Sequence, residues 1–148
     1  MSLRDLKLIL FPTESSRAAL GAAIAMARSF AAAIEVFHVD VDPSDESLLA
    51  ESIIPVQVVF ESLHAETAEQ LRRLTDEVRQ SGIVCNGAAE LGRSAESIVE
   101  HASRIGAGLI VVGKHGRRRL GRIRLGHVAE KVIQHAPCPV LVVPLPPT

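Results

Sequence analysis

The sequence predicts an α/β fold: a doubly wound, open, mainly parallel sheet with helices on both faces, in a single domain over residues 1–148. Three observations predict it. Short apolar runs alternate with longer stretches whose apolar residues recur every three or four positions, in the order β-α-β-α-β-α-β-α-β. The apolar runs are near-continuous, as in strands buried on both faces. Finally, 148 residues, 47% of them apolar and 22% charged, suffice for one core and leave little room for a second.

The first strand is the run 6–11, Leu-Lys-Leu-Ile-Leu-Phe, ended by Pro12. A helix follows over about 15–33, with Leu20, Ile24 and Ala27 on one face and enough alanine to lie close to a sheet. The second strand, 34–39, closes at Asp40. Residues 40–46 are acidic and turn-rich, and 47–59 reads as a loop with a short helical piece. Leu63, Thr67, Leu71, Leu74 and Val78 mark the second helix, which Ser81-Gly82 stops. A weaker third strand, 83–89, contains Cys85-Asn86-Gly87. Ala95, Ile98, Ala102 and Ile105 mark the third helix, ended by Gly106. The fourth strand, 109–112, runs into Gly113 and a basic segment reaching Ile123. Leu125, Val128, Ala129, Val132 and Ile133 mark the last helix, Pro137 and Pro139 end it, and Val140–Val143 is the last strand.

Composition excludes several functions. Sixteen basic against seventeen acidic residues give a net charge of −1, with no global basic excess for a nucleic-acid coat or a membrane surface. No Trp, no Tyr and four Phe leave no aromatic platform for base stacking. Cys85 and Cys138 have no zinc spacing and read as reduced thiols of a cytoplasmic protein. The N-terminal apolar stretch is too short for a signal peptide or a membrane span. The six histidines show no metal-ligating pairing, so no metal site is expected. Ser15, Ser16 and Ser94 read as helix starts rather than nucleophiles.

Open α/β sheets bind ligands beyond the carboxyl ends of their strands, where strand order reverses. The segment after the fourth strand is the most distinctive there. Gly113 and Gly116 stand three apart directly after the strand, Gly126 lies ten residues further at the start of the last helix, and six Lys or Arg residues lie between 114 and 124. Glycine permits close backbone approach to a ligand, and a helix N-terminus offers free N–H groups to an anion. The pattern suits a polyphosphate cradle. It is neither a Walker A loop nor a GxGxxG fingerprint.

The spacing Gly-2x-Gly-9x-Gly, with Ile110-Val111-Val112 before it and His135-Ala136-Pro137-Cys138-Pro139-Val140 after it, resembles the universal stress protein family. Phe11-Pro12-Thr13-Glu14-Ser15-Ser16 resembles that family's first strand end. The resemblance covers essentially the whole chain. It implies a five-stranded parallel sheet of order 3-2-1-4-5, a homodimer through Val140–Val143, and ATP, with Mg²⁺, in the crevice between strands one and four. By resemblance, Pro12, Thr13 and Glu14 would lie near adenine and ribose, and Val39 against adenine. Val112 and Gly113 would flank ribose and phosphates. Gly116, Gly126, His127 and Val128 would hold the phosphates, and apart from the resemblance the charge of Arg117 suits the same phosphates.

Two residues depart from the ATP-binding pattern: Glu14 stands for Asp, and His127 for Ser or Thr. Imidazole is bulkier than a hydroxyl, and carries charge only part of the time near neutral pH. Two roles for His127 therefore stand at this point. It either serves the phosphates of a regulatory adenine nucleotide, hydrolysed slowly at most, or fills their site in a homodimer acting through protein partners. An enzyme of phosphoryl transfer is disfavoured, because no Ser-Gly-Gly-type loop follows the first strand. Nucleic-acid binding through 114–124 is also disfavoured, and would fall steeply with salt.

Overall fold

The structure, a computed structural model, describes residues 3–13, 15, 17–41, 56–114 and 126–144. A 3₁₀ turn at Leu3–Asp5 leads into β1 (Leu8–Pro12), α1 (Arg17–Phe30) and β2 (Ala33–Val41). Then come α2 (Val56–Gln80), β3 (Cys85–Gly92), α3 (Ser94–Ile105), β4 (Leu109–Gly113), α4 (His127–His135) and β5 (Val140–Val143). The sheet order is β3-β2-β1-β4-β5, and all four pairings are parallel. Fold class and strand order are those expected. No helix among the described residues is long and apolar enough to cross a membrane.

Alternation along the strands distributes the apolar runs between two cores. Ile9, Phe11, Ile34, Val36 and Val111 pack on one face with Ala19, Ala23 and Ala27 of α1 and Val78 of α2. Leu10, Phe37, Val39, Ile110 and Val112 pack on the other with Ile98 and Ala102 of α3 and Ala129 and Val132 of α4. The continuous runs thus contribute to both cores at once. The three alanines of α1 are at most 1% exposed, and their small side chains let the helix backbone approach the sheet.

The edges of several elements differ from expectation; the first helix spans Arg17–Phe30 rather than 15–33, and the second strand Ala33–Val41 rather than 34–39. Leu6 is buried but precedes β1. Helix α2 begins at Val56, inside the segment read as a loop; 42–55 and the side chain of Leu63 lie outside the described residues. Strand β3 is displaced to Cys85–Gly92 and so takes in Glu90 and Leu91. It is an edge strand bonded only to β2, so polar residues cost little there and apolar content marks it poorly. Gly87 has a packing reason: a Cβ there would stand 2.7 Å from Oγ1 of Thr75 and 3.2 Å from Leu71 Cγ.

Ala31, directly after α1, is an exposed residue with φ of 53°. The left-handed region strains an L side chain, and this methyl packs little. Ala31→Gly is expected to stabilise the fold by about 1 kcal/mol and raise Tm by roughly 3 °C, checked by thermal denaturation.

Candidate functional site

β1 lies between β2 and β4, so the strand order reverses at its carboxyl end. A cavity of about 250 Å³ opens there, lined by Pro12, Ser15, Val112, Gly113, Gly126, His127, Val128 and Ala129. Six of the expected residues (Pro12, Val112, Gly113, Gly126, His127 and Val128) therefore meet from three separate segments. Val39 is buried in the core that also holds Val112 and Ala129, and Thr13 sits at the lip. Neither lines the cavity itself. Glu14, Gly116 and Arg117 lie outside the described residues.

Ser15 and Ala129 line the cavity and were not anticipated. Ser15 has the local signature of a helix start, and its N–H closes a turn on the Pro12 carbonyl at 3.1 Å. That turn brings it to the cavity, which no local pattern indicates. Ala129 belonged to the apolar stripe of the last helix, and its position at the base of the crevice depends on where that helix docks.

Two segments shape the mouth. β1 ends at Pro12, after which the Thr13 N–H donates to the Phe37 carbonyl at 2.9 Å. The Thr13 hydroxyl lies 2.5 Å from His38 Nδ1, and His38 Nε2 lies 3.1 Å from Asp40 Oδ1. A carboxylate can only accept, so Nε2–H donates to Asp40; in the neutral ring Nδ1 then accepts from the Thr13 hydroxyl, and in the charged ring Nδ1–H donates to it. Backbone and side chain together tie the β1 lip to β2. Period-two alternation places His38 and Asp40 on the face opposite Val39, so this chain holds the lip from behind.

On the other side, α4 starts at the crevice. Its N-cap Gly126 has φ −65° and ψ 156° and makes no side-chain cap bond. That φ suits any residue, so glycine serves here by leaving the cavity wall without a side chain. The N–H groups of the first turn leave positive potential at the cavity. Exposed His127 follows as the first helical residue.

The cysteines offer no nucleophile. Burial pushes the Cys85 thiol up to about 11, and burial also raises Cys138. Both are thiols near neutral pH.

A model described as the universal stress protein family matches residues 6–144. A universal stress protein of Methanocaldococcus jannaschii, MJ0531, is 38% identical over 144 residues, covering 95% of this chain and 83% of that protein. The solved structure of MJ0577, from the same organism, superimposes with a TM-score of 0.79 at 27% identity, covering 97% of this chain and 99% of that one. A universal stress protein crystallised in complex with cAMP superimposes with a TM-score of 0.65 at 20% identity, covering 94% of this chain and 97% of that one.

Proposed function

The chain belongs to the universal stress protein family, and from that membership we propose that its crevice binds an adenine nucleotide, ATP with Mg²⁺ in the first place, as a regulatory ligand. The observation that carries this reading is the convergence of Pro12, Val112, Gly113, Gly126, His127 and Val128 on one cavity at the strand-order reversal. Apolar walls from Pro12, Val112 and Val128 suit a purine. The α4 N-terminus suits the phosphates that follow it. A related family member bound to cAMP supports the adenine class.

The output we assign is occupancy rather than chemistry, in keeping with the lack of a Ser-Gly-Gly-type sequence after the first strand. A nucleotide that binds one conformation more tightly than another shifts the population toward it, and with it the choice of protein partner. The domain would act in the cytoplasm as a homodimer. The outer edge of β5, with four half-buried apolar residues, would pair with a second copy.

His127 at the cavity wall supports a second reading, in which imidazole occupies the phosphate position. Calorimetric titration with Mg-ATP separates the two, after the denatured protein has been checked for carried-over nucleotide. Micromolar binding by the unmodified protein is the expected result. Binding acquired only in His127→Ser would favour the blocked site. Binding by neither would overturn the nucleotide reading.

A further inference from the structure

The edge of the sheet opposite β5 is β3, which is bonded only to β2. Backbone groups alternate in direction along a strand. The Val84 carbonyl accepts from the Ile34 N–H on the β2 side, so the N–H and C=O groups of Cys85, Gly87, Ala89 and Leu91 point outward. Among the described residues only Arg79 bonds to this edge, its Nε donating to the Cys85 carbonyl at 2.8 Å. Gly87, Ala89 and Leu91 are left as an unpaired ladder centred on Ala89. None of the three is charged or a proline, the usual guards of an edge strand. By period-two alternation they also share the α2 face with buried Cys85. On that face Gly87 and Ala89 leave a groove of about 330 Å³ against Ala68, Leu71 and Thr75 of α2, whereas the Leu91 side chain stands out, 53% exposed. A hole before Ala89 and a knob after it are thus equally spaced from that residue.

We propose that β3 pairs antiparallel with β3 of a second copy of this chain, about a two-fold axis at Ala89. Directly opposed residues of an antiparallel pair carry their side chains on one face and exchange both backbone hydrogen bonds. Ala89 of one copy then opposes Ala89 of the other, and Leu91 of each opposes Gly87 of the other. Leu91 enters the groove that Gly87 leaves open, and the two-fold repeats the contact. Helix α2 packs on both β2 and β3. With strands about 4.8 Å apart, the two copies of α2 lie about 10 Å apart, an ordinary interhelix distance, so the sheet continues without a clash. An extended peptide of another protein would meet the same backbone, but a second copy brings Leu91 into register with Gly87. This pairing is independent of the one proposed at β5, and of the nucleotide reading.

The test is sedimentation velocity of the full chain from about 1 µM to about 1 mM, a range that reveals micromolar association. Two variants accompany it. Ala89→Pro removes an outward N–H and leaves the β2 ladder its donors. Leu91→Lys replaces the knob and sets an ammonium beside Arg72 and Arg79, which also line the groove. Both residues are exposed, so the substitutions spare the core, and circular dichroism checks the fold. At the highest concentration the unmodified chain is expected to sediment with at least about twice the mass of either variant. Equal masses for all three proteins would overturn the pairing. A loss of mass in Ala89→Pro with none in Leu91→Lys would overturn the register about Ala89, because the knob would then have no hole to fill.

Discussion

Gly126→Phe is expected to weaken adenine-nucleotide binding by roughly a hundredfold while the fold persists. Gly126 lines the cavity directly before α4, and its φ of −65° and ψ of 156° admit any side chain without strain. An aromatic side chain on this stretch of the cavity wall takes up space that a ligand would need. Circular dichroism should be nearly unchanged and Tm should move little, because Gly126 itself belongs to neither core. Calorimetry against Mg-ATP reads the loss. Undiminished affinity in a folded variant would place the ligand elsewhere and overturn the assignment of this crevice.

His101→Leu is expected to destabilise the protein by about 3 kcal/mol, near 9 °C in Tm. His101 is a buried residue of α3 whose ring stacks on Phe37, with centroids 4.0 Å apart and planes 4° from parallel. Its Nε2 is bonded to the Glu35 carboxylate, whose side chain is only 15% exposed. Nδ1 points toward Glu90 at 4.0 Å, and Glu90 in turn takes Arg104 at 2.6 Å. Removing the imidazole leaves the Glu35 carboxylate without its partner in a largely apolar setting. The cost is that of a stranded charge rather than of lost packing, since leucine restores much of the volume. Urea denaturation of His101→Leu and of Glu35→Leu/His101→Leu distinguishes the causes. The double variant should recover more than half of the loss. A double variant as unstable as the single one would show that ring packing, not the carboxylate, requires His101.

The site was legible in the sequence to the extent that its residues follow strands. Val112, Gly113 and Gly126 stand at the end of a buried apolar run and the start of a helical stripe, so their place at a carboxyl edge follows from periodicity and topology. Pro12 follows from the same rule. Ser15 and Ala129 do not, because a turn and a docking angle bring them to the cavity. The Glu35–His101 pair joins residues 66 positions apart, and neither has a neighbouring pattern that calls for the other.

The sequence by itself determined the fold class, the succession of elements and the crevice end of the sheet. These depend on local periodicity: near-continuous apolar runs for strands buried on both faces, and recurrence every three or four residues for helices. It marked β3 poorly, because an edge strand bonded on one side tolerates Glu90 and needs no apolar run. Only the tertiary structure decided which side chains meet. It set the hydrogen bond between Thr13 and His38 and the burial of His101 against Glu35. The physical reason is that these contacts lie across strand registers and helix crossings, where residues distant in the chain come within bonding distance only after the sheet has closed.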